Sequence, residues 1–351
     1  MPFLTAAPTH IMSDPLKPYA DLYIKLNGPG DQRPTAQRVI EDEKASKVLV
    51  GKVILITGGS SGIGLATATA LHSAGAHVFI TARSQEKADK ALRQIREKSR
   101  GAGDLEWIEI DLDSLKFVRA AAADFLARSD KLHILINNAG IMACPESKTQ
   151  DGFERQFGVN HLAHHLLTKL LLPTLIASST ADHKSRVVNL SSTGHRFGKV
   201  QWDDYNFEKP NTYDGMVAYA QSKTANLWTA NYIDRHYGPK GVHAYSVHPG
   251  GVWSGLQQFA PPELQKYYQE DPEWKPIWQT PEQGAASTVW AAVASVLEGN
   301  GGQYISETGV ADIVETDEFQ PLPHAAPWAF EPESEDRLWE LSERLVAHKG
   351  L

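Results

Sequence analysis

The stretch Thr57-Gly-Gly-Ser-Ser-Gly-Ile-Gly64 constrains this chain more than any other. It follows Val53 to Thr57, a short β-branched apolar run, and it opens the helix-like segment Ile63 to Ala74. Strand, glycine turn and helix in that order put small residues and free N–H groups at the positive end of a helix dipole. A dinucleotide diphosphate requires such a cradle. An unliganded βα turn and a methyltransferase share the pattern. A phosphate-binding NTPase loop is disfavoured, because no Gly-Lys-Ser/Thr follows.

The alternation continues downstream. Strand-like His77 to Thr81, Leu105 to Ile110 and Leu132 to Ile136 alternate with helical Gln85 to Lys98 and Ser114 to Arg128. Helix-rich Phe153 to Ile176 leads into strand-like Arg186 to Leu190, helical Val217 to His236 and strand-like Val242 to Val247, with Gly302 to Ser306 as a final strand. Strands alternating with helices predict a doubly wound α/β fold, a Rossmann-like parallel sheet with helices on both faces. Residues 51–310 read as one domain. Residues 1–50, broken by Pro15, Pro18, Gly28, Pro29, Gly30 and Pro34, read as an N-terminal extension, and 311–351 as a tail. That tail ends in an amphipathic helix, Glu331 to Lys349, which Leu338, Trp339, Leu341 and Leu345 dock on the body or on a partner.

Composition sets outer bounds. The 351 residues are 42% hydrophobic and 22% charged, enough apolar material for a full core. Net charge −8 provides no general field for nucleic acid or anionic membrane, so an anionic ligand must be held locally. The single cysteine, Cys144, forms no internal disulfide and points to a reducing, cytoplasmic setting. No segment approaches the roughly 18 apolar residues of a membrane span, and the N-terminus lacks the pattern of a signal peptide. A soluble protein is expected. His161, His164 and His165 stand at helical spacing, but no nearby acid or cysteine completes a metal set, and none is assigned.

The second strand ends Val78-Phe-Ile-Thr-Ala-Arg83. An NAD binder usually places an acid there against the ribose 2′-hydroxyl; Ala82 followed by Arg83 instead offers a guanidinium to a 2′-phosphate and favours NADP(H). A solvated loop arginine is the plain alternative.

Further motifs follow in order: Asn137-Asn-Ala-Gly140, Asn160, Ser191-Ser192, Tyr219-Ala-Gln-Ser-Lys223 and His248-Pro-Gly-Gly-Val-Trp-Ser254. Each is modest alone; their order and spacing together resemble the short-chain dehydrogenase/reductase family over about residues 51–255. The wording around Phe157, Arg186 and His248 is most similar to the retinol-dehydrogenase-like branch and its fungal and plant relatives.

Tyr219 and Lys223 are four apart and share one helix face. A nearby ammonium and an oxidised nicotinamide would favour the phenolate, which makes Tyr219 the proton donor or acceptor for a carbonyl/alcohol pair. The resemblance implies that Ser192 (alternatively Ser191) holds the substrate oxygen, that Lys223 binds the nicotinamide ribose, and that Asn160 holds a relay water. It implies cofactor contacts at Gly58, Ser60, Ser61, Gly62, Ile63, Gly64, Arg83, Asp111, Leu112, Asn138, Ala139, Gly140, Pro249, Gly250, Val252 and Ser254. Asp111 could equally serve as a helix N-cap.

Ser192 and Tyr219 are 27 positions apart, longer than in the simplest family members, so an insertion with Trp202 and Tyr205 is expected to shape the cleft rim. Residues 255–280 resemble the family's variable substrate lid. Their Phe259, Tyr267, Tyr268, Trp274 and Trp278 suit a bulky apolar or aromatic substrate, or pack on themselves. The expected protein is therefore a carbonyl reductase-type oxidoreductase with a small-molecule substrate, and the resemblance implies a homodimer or homotetramer. A reductase of carbon–carbon double bonds and a non-catalytic nucleotide-binding scaffold remain as other readings; the complete Asn160, Ser192, Tyr219 and Lys223 set speaks against the scaffold.

Overall fold

Strand β1 (Val53–Ile56) is buried along its whole length, as a central parallel strand covered on both faces must be. In the computed structural model, which describes residues 14–99, 101, 103–315 and 323–348, it pairs in parallel with β2 (His77–Ala82) on one side and β4 (Ile134–Asn137) on the other. Beyond them lie β3 (Leu105–Glu109) at one edge, and β5 (Ser185–Leu190), β6 (Val242–Val247) and β9 (Gln303–Ser306) toward the other. The reading of the N-terminus as free of a leader falls on residues 1–13, outside the described residues. Parts of the tail, 316–322 and 349–351, also lie outside them.

Period-two alternation divides the core. Leu55, Phe79, Leu135 and Val187 face helices α4 (Leu115–Arg128), α5 (Ala163–Ser178) and α6 (Gly215–Tyr237). Ile54, Ile56, Val78 and Ile80 face α2 (Gly62–Ser73), α3 (Gln85–Lys98) and α8 (Pro281–Val293). Each such fully buried side chain contributes about 1.5–3 kcal/mol relative to exposure. Tyr19, Val39, Ile40 and Leu49 join the second layer, so the segment before β1 packs into the core. Its short helix α1 (Ala36–Asp42), N-capped by Thr35, lies against α8 and α2.

Two elements depart from the expected pattern. Gly302 to Ser306 is followed by a further strand: Glu307 and Thr308 both take left-handed backbone and reverse the chain into the antiparallel β10 (Gly309–Val310). That turn usually advertises itself with Asn-Gly. Here it is held instead by tertiary bonds, Thr308 N to Ser287 Oγ (3.0 Å) and Tyr23 Oη with Thr308 Oγ1 (2.9 Å). The helical stretch expected from Phe153 begins with a π-turn over Phe157–Leu162, one of the local widenings that recur at functional sites.

Near the C-terminus, α9 (Pro332–His348) buries Leu338, Trp339 and Val346 and packs on α6, with the Trp339 ring stacked 4.2 Å from that of Tyr232. Among the described residues, no helix is long and apolar enough to cross a membrane.

Candidate active site

Sheet order places the site. From β1 the chain winds outward to β3, then returns to β4 on the other side of β1, and a crevice opens at that reversal beyond the strands' C-terminal ends. The turns after β1 and β4 meet there. Gly58 leaves β1 at φ +67°, and a Cβ on Gly64 would stand 2.3 Å from the Gly58 carbonyl oxygen, so only glycine fits. The Thr57 hydroxyl accepts from Asn138 N (2.9 Å) and Ala139 N (3.1 Å), while Asn138 Nδ2 donates to Thr57 O (2.8 Å). Thr57 thus ties the two turns together, a role its place in the glycine motif did not signal.

Ser61 sits at the N-cap of α2 in extended conformation and makes no side-chain capping bond, which leaves the helix-start amides near Gly62, Ile63 and Gly64 for a ligand. Ser60 and Ser61 border this opening. Arg83, exposed just past β2, makes no hydrogen bond or ion pair among the described residues. Asp111 accepts from Asp113 N (3.1 Å) beyond β3, beside the buried Leu112. Facing the glycine turn is the loop Pro249–Gly250 with strand β7 (Gly251–Val252). Ser254 follows it, and its Cβ is 3.7 Å from where a Cβ of Gly62 would lie. Its hydroxyl accepts from Leu256 N (3.2 Å) and caps the next turn.

Helix α6 carries Tyr219 and Lys223. Asp214 starts it by accepting from Met216 N (2.8 Å) and Val217 N (2.9 Å). One turn apart, Tyr219 and Lys223 are each 4% exposed, with Lys223 Nζ 5.5 Å from the Tyr219 ring centre and 3.0 Å from Leu190 O. Among the described residues, no carboxylate is hydrogen-bonded to either. Burial pushes the Lys223 ammonium down to about 8 and the Tyr219 phenol up to about 12, the latter opposed by the Ser192 hydroxyl. In the protein alone desolvation dominates at the phenol, and the phenolate was expected only with both the ammonium and an oxidised nicotinamide beside it.

Ser192 Oγ accepts from Gly194 N (3.0 Å) and lies beside the Tyr219 ring across Gly194. Ser191 Oγ donates to Lys223 O (2.8 Å) and is buried, so the geometry distinguishes the two serines: Ser192 faces the phenol, and Ser191 braces α6. Asn160 sits in the π-turn. Its Oδ1 accepts from Ile141 N (2.9 Å), and its Nδ2 donates to Ile141 O (2.9 Å) and Ser222 Oγ (3.0 Å). The side chain fastens the Asn137–Gly140 turn to the bulge, and both its donors are committed within the protein rather than held for the relay water. Gly140 lies between Asn160 and Lys223; a Cβ there would approach Asn160 Oδ1 to 3.2 Å and Lys223 Nζ to 3.5 Å.

The three histidines have separate partners. His164 Nδ1 donates to Asn160 O (2.9 Å) and its Nε2 meets the Thr57 hydroxyl (2.9 Å), while burial pushes the ring down to about 4 and keeps it neutral. His161 Nε2 donates to Ser342 Oγ (2.7 Å) and His165 Nε2 to Glu343 Oε1 (2.8 Å), both on α9. Hydrogen bonds from His165 and from Lys169 hold the Glu343 carboxyl down at about 2.

His195 was missed by sequence reasoning. Its Nδ1 donates to Ser192 O (2.6 Å) and its Nε2 accepts from Ala326 N (3.0 Å), so the tail braces the serine loop from behind. Trp202 and Tyr205 do not form the cleft rim: Trp202 stacks on Trp228 (5.9 Å) under Arg337, and Tyr205 packs near Phe157 (5.8 Å). Apolar surface on α6 and the π-turn draws the insertion inward. Cys144 is buried beside Tyr213.

A diphosphate cradle at the sheet's reversal, facing a buried tyrosine and lysine on a single helix, defines a Rossmann-type oxidoreductase that binds a nicotinamide dinucleotide. The chain belongs to the short-chain dehydrogenase family, whose model matches residues 52–265. It is 41% identical to the short-chain dehydrogenase/reductase prx1 of Penicillium rubens over 93% of this chain and 94% of that protein. It is 40% identical to retinol dehydrogenase 11 of Mus musculus over 75% of this chain and 80% of that one. Among solved structures, the Pseudomonas aeruginosa RhlG/NADP active-site complex superposes with TM-score 0.56 at 27% identity, covering 73% of this chain and 94% of its own.

Proposed function

We propose that this protein is an NADP(H)-dependent oxidoreductase that interconverts a carbonyl and an alcohol on a bulky apolar or aromatic substrate. The observation that carries this reading is the buried Tyr219 and Lys223 pair with the Ser192 hydroxyl beside the phenol. A phenol, an uncompensated ammonium and a hydroxyl taken out of water together have no structural use that outweighs their desolvation.

The residues fit a nicotinamide dinucleotide: Gly64 leaves no room for a side chain, and the α2 amides are uncapped by Ser61. Gly58, Ser60, Gly62, Ile63, Asn138, Ala139, Pro249, Gly250, Val252 and Ser254 border the same crevice, and Asp111 with Leu112 follows β3 at its far end. When bound, the cofactor gives or takes a hydride at the substrate carbon. Ser192 donates a hydrogen bond to the substrate oxygen, Tyr219 gives that oxygen a proton in reduction and removes it in oxidation, and Lys223 stabilises the phenolate so formed. Asn160 and His195 hold the turn and the serine loop in place around them.

Arg83 supports the phosphorylated cofactor, since its exposed guanidinium, without a partner among the described residues, directly follows Ala82, the place where an NAD binder puts an acid that would repel a 2′-phosphate. Arg83→Ala is expected to weaken NADPH binding about tenfold or more and leave NADH unchanged, as read by cofactor fluorescence titration. Tighter binding of NADH than NADPH by the unaltered protein would overturn the assignment.

The pH profile follows from the site. Between neutrality and about pH 8 Lys223 holds its proton; above that it loses the proton, while the Tyr219 phenol keeps its own to about 12. Reductive kcat/KM is therefore expected to fall as pH rises through about 8, on a limb set by the lysine. A profile flat to pH ~10 would remove Lys223 from the proton-transfer step.

The direct test is NADPH and NADH oxidation against bulky aldehydes, aromatic ketones, steroids, quinones and conjugated enones, with product analysis. Carbonyl reduction with NADPH supports the proposal. Alkene reduction, or cofactor binding without turnover across the panel, would replace it.

A further inference from the structure

We infer that Arg33, in the segment preceding the Rossmann domain, is the positioning residue of the substrate lid: it holds the lid's C-terminal anchor, and so sets the site's affinity for apolar substrates. This rests on reading residues 255–280 as a wall of the substrate site.

The lid is weakly tied to the body along its middle. None of the described side chains of its helix α7 (Pro262–Glu270) is buried, and Phe259 and Tyr267 are exposed. Its aromatic residues pack largely on one another: Tyr268 meets Trp274 edge-on (5.0 Å), and Trp278 Nε1 donates to Tyr268 O (2.6 Å). A segment with so little buried apolar contact opens at low free energy unless its ends are fixed. One end is continuous with β7. The other is strand β8 (Trp278–Gln279), which pairs with β7 and sets the Trp278 ring against Trp253 (5.2 Å).

Arg33 fixes that second end. Its guanidinium donates to four main-chain carbonyls: Nη1 to Ile277 O (2.8 Å), and Nη2 to Gly28 O (3.1 Å), Pro276 O (3.1 Å) and Trp278 O (2.7 Å). Its Nε donates to Asp31 Oδ1 (2.8 Å), and the two side chains are only 1% and 3% exposed. Gln283, in the first turn of α8, closes the knot. Its Oε1 accepts from Gly30 N (2.9 Å) and Thr280 N (3.1 Å), and its Nε2 donates to Asp31 Oδ1 (3.0 Å). A buried cation could be balanced by one carboxylate alone; spending its remaining donors on three successive carbonyls of the lid's exit strand fixes that strand's path. β8 thereby presents Trp278 and Gln279 to Gly251 and Val252, on the loop bordering the cofactor crevice.

The test uses the full chain. In Arg33→Met, amide hydrogen exchange at residues 255–280 is expected to quicken about tenfold, with exchange in β1 and β2 unchanged. KM for decanal should rise about fivefold while kcat stays within about twofold and KM for propanal moves little. Arg33→Lys, which keeps the charge beside Asp31 but not the fork, should fall between, and Arg38→Met, on the exposed face of α1, should match the unaltered protein. Unchanged lid exchange, or a rise spread equally over β1 and β2, overturns the clamp whatever the kinetics show. Faster lid exchange with unchanged KM for decanal, or with no decanal turnover by the unaltered protein, overturns the claim on substrate affinity and with it the reading of the segment as a substrate wall.

Discussion

Tyr219→Phe is expected to lower turnover about 10³-fold while leaving NADPH affinity within about threefold of the unaltered protein. The substitution removes one oxygen from a ring that is already buried, so packing on α6 and beside Gly194 persists. What is lost is the group we propose as the proton donor to the substrate oxygen. In that proposal Ser192 still hydrogen-bonds the oxygen but holds its proton too tightly at neutral pH to replace the phenol. The measurement is steady-state NADPH oxidation on the best substrate, paired with cofactor titration by fluorescence. Near-normal turnover would remove Tyr219 from the chemistry; loss of both activities together would make it a structural residue.

The second large effect is predicted at Gly64. An added methyl would meet the Gly58 carbonyl oxygen at 2.3 Å and Asn138 Nδ2 at 2.5 Å, and both belong to the turns that line the crevice. Neither can yield freely: Asn138 is bonded to Thr57 from its side chain and its backbone, and Gly58 N donates to Thr81 Oγ1 (3.1 Å). Gly64→Ala should therefore cost about 1–3 kcal/mol of stability through overpacking, a lowering of the melting midpoint by several degrees. A cradle displaced by about 1 Å should also weaken NADP(H) binding about a hundredfold. An unchanged melting midpoint and unchanged affinity would show that the turn has slack the structure does not reveal.

Much of this was legible along the chain because the deciding interactions are local or periodic. The run Val53 to Thr57 reads as a buried strand by composition, Gly58 to Gly64 as a cradle by conformational freedom, and Tyr219 with Lys223 as one helix face by spacing. Ala82 followed by Arg83 was visible as an uncharged residue and a cation at a strand end where an acid is customary. Other features left no local trace. Glu307-Thr308 lacks the residues that announce a tight reversal, because Ser287 and Tyr23 hold it from elsewhere in the chain. The π-turn around Asn160 has no period of its own in a segment that is buried on all sides.

The functional surroundings divide along the same line. His161, His164 and His165 looked like one cluster, but α9 takes His161 and His165 by hydrogen bonds that they donate to Ser342 and Glu343, nearly two hundred residues away, while His164 turns to Thr57. His195 braces Ser192 only because Ala326 returns to it, and Arg33 reaches the lid across about two hundred and forty residues. By itself the sequence determined the α/β order, the glycine turn after β1 and the shared helix face of Tyr219 and Lys223, since each depends on residues within a turn or two of one another. Only the tertiary structure decided which serine faces the phenol, which side chains brace the site and how the two ends of the lid are held, because burial and hydrogen bonds between distant segments exist only once the chain has closed.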